Sequence, residues 1–384
     1  MKSLHADTII GFLGAGQLAR MSALQAYRFG FGVASFSNRE ELESLEQVTP
    51  LHTKGSFDSA DDMTSFAEQC DIITLENEFI GSGYLGQIVS RSGTPIYPTP
   101  ETFTKIENKL VEKQTFEAAG LPVAPYALIT NKDQLKAFGE KHGWPFVLKS
   151  SKGGYDGYGN EMANDYADAQ QKFNKLGGSK GNDIVAEAKI DFVKELAVQV
   201  ARNNTGSVVY PCCETVQEHH ICTAVLAPAP VEPAIHEKAQ EMALAATEAI
   251  DGTGIFAFEF FLRYDGSLIL NESAPRPHNS GHYTIEGCVT SQFENHIRAI
   301  CGLPLGSTSI QKPAIAMINL LGTHNRPASV EAVTDALDTV DGNLHIYGKK
   351  NSRLGRKMGH YTLLGTDIDA VHKKAKKVTN DITI

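Results

Sequence analysis

The sequence predicts an α/β protein: a doubly wound parallel-sheet unit in its first hundred residues, followed by a larger α+β body. One observation is the alternation of short apolar runs with amphipathic stretches across residues 8–75. Another is a pair of apolar runs flanking Asp265-Gly266, the pattern of a β-hairpin. A third is segment 151–160, SKGGYDGYGN, whose four glycines directly follow the apolar run PFVLKS and require a loop.

Residues 8–13 read as a buried strand, followed by GAGQ and a helix over 18–29. A second strand is expected at 32–37, a helix at 63–69 and a third strand at 71–75. PIYPTP, 95–100, breaks the pattern, because proline brings no N–H to a ladder. A helix rich in Lys and Glu opens 105–150, which ends on PFVLKS. Strands are expected at 184–187 and 195–201. An amphipathic helix spans 233–250, with Pro233 tolerated in the first turn, where its missing donor would have no partner. Strands at 255–263 and 268–272 precede a small α/β appendix with a basic patch at 349–357.

A chain of 384 residues is long enough for two or three cores. Its net charge of −10 argues against a general nucleic-acid surface, so phosphates would have to be met by local cationic clusters. Six cysteines without a C-x-x-C pair suit reduced thiols in the cytoplasm. The N-terminal residues lack the apolar core of a signal peptide, and no apolar run approaches the roughly 18 residues of a membrane span.

The sharpest chemical signal is acidic. With Asp265 and Gly266 as a two-residue turn, Glu259 and Glu272 fall directly opposite each other, with Asn271 beside the second. Facing carboxylates repel unless a cation lies between them, and Mg²⁺ favours carboxylates together with nucleotide phosphates. The alternative is a solvated ribbon, which the apolar flanks disfavour. In the glycine-rich loop after Lys149, backbone N–H groups can close on phosphate oxygens while the lysine supplies charge. The spacing is not that of a P-loop. ESAPRPHNSGH, 272–282, crowds Arg276, His278, Asn279 and His282 behind the metal carboxylate, and arginine suits a planar oxyanion. KKNSRLGRK, 349–357, has five cations in nine positions and would fit a phosphate monoester, although such runs are often plain solvated surface. GFLGAGQLARM resembles a dinucleotide fingerprint only weakly, since the second strand closes on Ser37-Asn38 instead of an acid.

In this order the motifs resemble the ATP-grasp superfamily, and within it the ATP-dependent 5-(carboxyamino)imidazole ribonucleotide synthetases of purine synthesis. GAGQLARM, KGGYDGYGN, LNESAPRPHNSGH and GRKMGH carry the resemblance, which extends over nearly the whole chain. It implies an ATP-grasp fold with an N-terminal Rossmann-like pre-ATP-grasp domain (1–104), an ATP-grasp domain (105–300, divided at 186/187) and a small C-terminal domain (301–384). It implies a ligase that uses ATP and Mg²⁺, or Mn²⁺, to carboxylate aminoimidazole ribonucleotide with bicarbonate through carboxyphosphate. It also implies a cytoplasmic homodimer without nucleic-acid or membrane partners.

Carried over by motif, Lys109 and Lys149 would meet ATP phosphates beneath Gly154, Tyr155, Asp156, Gly157, Tyr158, Gly159 and Asn160. Glu187, Ala188, Lys189 and Ile190 would border the adenine, with Glu195 and Gln217 on the ribose side. Glu259 and Glu272 would hold the metal, with Asn271 adjacent. Arg276, His278 and Asn279 would hold bicarbonate, while Tyr155 and Asp156 face the imidazole. Gln17, Leu18, Glu76 or Glu78, Lys350, Arg353, Arg356 and Lys357 would take the ribose phosphate. The chain departs from the family at Tyr158, usually basic, at Gln217, usually histidine, and at Ala19, usually glycine. The formate-dependent glycinamide ribonucleotide transformylases are a sister alternative, disfavoured by HNSGH and GRKMGH. An NAD-dependent oxidoreductase is disfavoured by the missing acid after the second strand.

Overall fold

In the computed structural model, which describes residue 5 and residues 7–153 and 159–384, the chain opens as a parallel sheet. Its strands lie in the order Leu51–Lys54, Gly32–Ser37, Ile9–Leu13, Ile72–Leu75, Ile96–Tyr97. The chain leaves the central strand first to one side and then to the other, which is the doubly wound arrangement. Leu51–Lys54 was not expected: as an exposed edge strand it carries polar residues and no apolar period. Ile96–Tyr97 lies inside the segment expected to break the pattern. Pro95 serves there as an acceptor, its carbonyl taking the Ile73 N–H at 2.8 Å, so its missing donor costs the ladder nothing.

Among the described residues nine strands form the main sheet. Leu268–Ala274, Gly254–Leu262, Lys194–Asn203, Cys213–Glu218 and Ile221–Ala227 lie in that order, with Gly206–Val209 also on Lys194–Asn203. Ala314–Leu321, Lys357–Gly365 and Gly342–Ile346 continue the same sheet, so the expected appendix is joined to the body by backbone ladders. Helix Pro233–Ala249 covers one face, burying Ala239, Met242 and Ala246 against Phe256, Phe258 and Phe260. A smaller sheet, Tyr126–Ile129, Ile184–Ala188, Phe146–Ser150 and Asn160–Ala163, stands apart with its own core around Phe138, Phe146 and Phe173. Helix Gln292–Ile300 ties the first sheet to the main one. His296 on this helix accepts the Ile255 N–H on Nδ1 (3.3 Å), and its Nε2 lies 2.9 Å from Thr74 Oγ1.

The hairpin corrects the expected turn. The connection is the three-residue loop Tyr264-Asp265-Gly266, closed by Arg263 N–H to the Ser267 carbonyl (2.9 Å), with Gly266 alone of the three at positive φ (+79°). Pairs next to the loop are therefore offset by one: Leu262 faces Leu268 and Phe260 faces Leu270. Asn271 is then extra on its strand, a β-bulge, and beyond it Glu259 faces Glu272 as expected. The two one-residue offsets cancel.

Candidate active site

One cleft of about 1060 Å³ runs between the first sheet, the main sheet and the C-terminal strands. At its N-terminal wall, helix Gln17–Arg28 presents Gln17 and Leu18, and the Gly16 N–H donates to Glu76 Oε2 (2.5 Å). A Cβ on Gly16 would lie 2.1 Å from Glu76 Oε1, so any side chain at this position of GAGQ would displace the Glu76 carboxylate. Burial raises the pKa of Glu76. The loop that ends strand Gly32–Ser37 brings Arg39 into the cleft, opposite Lys350, Arg353, Arg356 and Lys357 from the C-terminal segment. Arg39 belongs to this cationic cluster, yet a lone arginine in a polar loop carries no sequence signal for it.

At the other end of the cleft stand Glu272, Arg276, His278 and Asn279. Glu78 accepts both Nε and Nη2 of Arg276, the latter at 2.9 Å from Oε1. Burial opposes ionisation of Glu78, but the guanidinium outweighs it and lowers the pKa. Asn279 and Asn319 exchange amide hydrogen bonds of 2.9 and 2.6 Å. His278 has its pKa pushed down to about 4, by burial first and then by Arg276 and Lys357, so it is neutral at pH 7. Its Nδ1 lies 2.8 Å from Ser280 Oγ, and the Ser280 N–H caps the same nitrogen at 3.5 Å.

Glu259 and Glu272 bring two hard oxygen donors together on adjacent strands, and Glu259 Oε1 lies 3.8 Å from His278 Nδ1. Among the described residues no group of three or more His, Cys, Asp or Glu side chains is arranged to hold a metal ion. Two carboxylates still fit Mg²⁺, which completes its shell with phosphate oxygens and water. Glu272 also faces Lys109 at 3.5 Å. Burial raises its pKa, but Lys109 and Lys149 outweigh that and hold it ionised.

Lys149 is buried 2.9 Å from Glu187, whose other oxygen is 3.1 Å from Lys113. Lys113 also donates to the Asn271 carbonyl at the bulge (2.9 Å), and Glu112 accepts from the Ser273 N–H (2.8 Å). Sequence reasoning missed Glu112 and Lys113, since both occur in a helix whose composition reads as solvated, yet they are only 5% and 3% exposed. The i, i+4 spacing of Lys109 and Lys113 was the available signal. Glu195 is hydrogen-bonded to Gln217; burial and then the charge of Glu272 raise its pKa. Lys189 and Ile190, following Ala188, line a separate shallow depression with Phe192 and Tyr264. Asn160 pairs with Lys149 at the strand start, and the Gly159 carbonyl accepts the Ser150 N–H (2.9 Å). Gly154, Tyr155, Asp156, Gly157 and Tyr158 lie outside the described residues.

Comparison with known proteins agrees with this geometry. Residues 114–293 match the ATP-grasp domain, residues 7–107 the ribonucleotide synthetase preATP-grasp domain, and residues 315–374 the phosphoribosylaminoimidazole carboxylase C-terminal domain. The chain is 36% identical over 362 residues to the N5-carboxyaminoimidazole ribonucleotide synthase of Bacillus subtilis, covering 94% of this chain and 92% of the relative. It is 36% identical over 386 residues to the phosphoribosylaminoimidazole carboxylase of Ogataea methanolica, covering 98% of this chain and 70% of that longer protein. The carboxyaminoimidazole ribonucleotide synthase of Aspergillus clavatus complexed with ATP superposes with a TM-score of 0.87 at 34% identity, over 98% of both chains. The same Aspergillus enzyme with ADP and 5-aminoimidazole ribonucleotide gives a TM-score of 0.87 at 33% identity, again over 98% of each chain.

The fold and its paired carboxylates define an ATP-grasp ligase. Three domain matches in the same order narrow the class. The chain belongs to the N5-carboxyaminoimidazole ribonucleotide synthase family.

Proposed function

We propose that this chain carboxylates the exocyclic amine of 5-aminoimidazole ribonucleotide with bicarbonate, converting ATP to ADP and phosphate and giving N5-carboxyaminoimidazole ribonucleotide. The observation that carries the reading is a continuous cleft, lined both by a cationic cluster and by Glu272, Arg276, His278 and Asn279. A monophosphate held by Lys350, Arg353, Arg356 and Lys357, beside Gln17, Leu18, Glu76 and Glu78, extends its base toward that second group.

Bicarbonate is a poor electrophile until one of its oxygens becomes a leaving group. Transfer of the terminal phosphoryl of ATP makes carboxyphosphate, and the amine attacks its carbon or the CO₂ that it releases. Lys109 and Lys149 meet the phosphates. Glu187, Ala188, Lys189 and Ile190 border the adenine, with Glu195 and Gln217 toward the ribose and Asn271 beside the metal carboxylates. Glu259 and Glu272 would hold Mg²⁺, or Mn²⁺, which would offset the charge that builds on the phosphoryl oxygens. Arg276 and Asn279 orient the bicarbonate. His278, neutral, offers an N–H to its oxyanion in a water-poor site, where a fixed donor needs no reorganisation.

Within the reading the chain divides near residues 104 and 300 and acts as a cytoplasmic homodimer on small molecules alone. Among the described residues no helix is long and apolar enough to cross a membrane. Phosphate release measured with ATP, bicarbonate and aminoimidazole ribonucleotide, omitting each in turn, tests the proposal. Full release without the ribonucleotide, or undiminished release with formate in place of bicarbonate, would overturn it.

A further inference from the structure

Gln292 opens helix Gln292–Ile300 and is fully buried. Its Oε1 accepts the His278 N–H (3.0 Å), and its Nε2 donates to the His278 carbonyl (2.7 Å). A backbone N–H only donates and a carbonyl only accepts, so these two bonds set which end of the amide is which. The remaining Nε2 hydrogen meets His282 Nδ1 at 3.1 Å. That ring nitrogen must therefore present its lone pair.

The His282 ring is 1% exposed, and burial holds its pKa well below the usual histidine range. A neutral imidazole has one N–H, which here has to be on Nε2. Gly281 belongs to the same device: a Cβ there would lie 2.4 Å from Gln292 Oε1, so any side chain would displace the clamp. The ring forms part of the cleft wall with Tyr347 and Lys357, so a molecule in the cleft can reach it. A ring N–H at a cleft wall can be satisfied by a ligand acceptor in place of water.

We propose that His282 contacts substrate, donating its Nε2–H to an acceptor on the ribose or imidazole of the bound ribonucleotide, and that Gln292 is the positioning residue that sets this tautomer. His278, at the carboxylate-handling end, and Lys357, at the cationic phosphate end, both lie close enough to lower the pKa of the ring, which places it near the middle of such a molecule. This assignment of the ligand rests on the proposed function. The tautomer does not.

Two measurements test it. In the ¹⁵N-labelled wild-type protein without ligand, the His282 ring should show a protonated Nε2 and a bare Nδ1 from pH 6 to pH 8; a protonated Nδ1 overturns the proposal. In turnover assays His282→Phe should raise KM for aminoimidazole ribonucleotide about tenfold, the size of one neutral hydrogen bond, and leave KM for ATP unchanged. His282→Gln, which keeps a donor at similar reach, should recover most of the loss. Unchanged KM in His282→Phe, or equal loss in both variants, overturns the substrate contact. Absence of ribonucleotide-dependent turnover in the wild type would instead sink the proposed function, and the spectrum would still decide the tautomer.

Discussion

Glu78, from the loop after strand Ile72–Leu75, and Arg276, from the segment after the hairpin, form a two-nitrogen ion pair across 198 positions of sequence. The pair locks the N-terminal sheet onto the segment that follows the hairpin, and it fixes the plane of the guanidinium. A bidentate fork leaves little freedom to the arginine, so the geometry is set before substrate arrives.

Glu78→Gln keeps the shape and removes the charge. Charge-assisted hydrogen bonds are worth ~1.5–3 kcal/mol, so kcat should fall about 10- to 100-fold with little change in KM for ATP. A double-mutant cycle with Arg276→Lys should be strongly non-additive. Losses that simply add would mean that the two side chains do not act as a unit.

Glu272→Gln should cost about 100-fold or more in kcat and weaken the apparent affinity for Mg²⁺, with the fold intact, because one of the two hard donors loses its charge. Metal titration of turnover reads both effects. A wild-type Mg²⁺ dependence in this variant would remove Glu272 from the metal site.

Glu187 is flanked by two buried ammonium groups, which lower its pKa against the opposing effect of burial. Glu187→Ala leaves both lysines without their counter-charge and should destabilise by ~3–5 kcal/mol. Lys113→Met should cost less, since Glu187 keeps Lys149 and the thioether fills the space. Denaturant unfolding compares them, and the reverse ranking would contradict the triad. Because the folded pKa of Glu187 lies below its ordinary value, this contribution is present above that value and is lost as pH falls through the folded pKa.

His296 has its pKa lowered by burial to about 3, against an ordinary 6.5. Between these values the folded protein binds fewer protons than the unfolded chain, so stability declines as pH drops from 6.5 and is unaffected by this group above it. Protonation would also destroy the acceptor that Nδ1 offers to Ile255. In His296→Gln the slope of unfolding free energy between pH 6 and pH 4 should fall by about 1.4 kcal/mol per pH unit. An unchanged slope would show that His296 is protonated without penalty in the fold.

Local pattern carried a minority of the strands and helices and the hairpin into view, because apolar period and turn residues act over a few positions. Glu259 and Glu272 illustrate its reach and its limit. Their pairing was legible from Asp265-Gly266, yet the three-residue loop was not, nor was the bulge at Asn271 that compensates for it. Choosing between a two- and a three-residue turn depends on how the sheet twists around it. Ile96–Tyr97 was hidden for a related reason, since only a neighbouring strand reveals that Pro95 is used as an acceptor.

By itself, then, the order of residues determined the doubly wound start, the carboxylate ribbon, the cationic segment and the family resemblance, all of which depend on spacing along the chain. Tertiary structure alone decided that Glu78 takes Arg276, that Glu187 joins Lys113 to Lys149, that Gln292 orients His282, and that the C-terminal strands extend the main sheet. Those relationships are burial and partner choice between distant segments. Whether a lysine or glutamine is solvated or enclosed is set by what packs over it, which no short window of sequence contains.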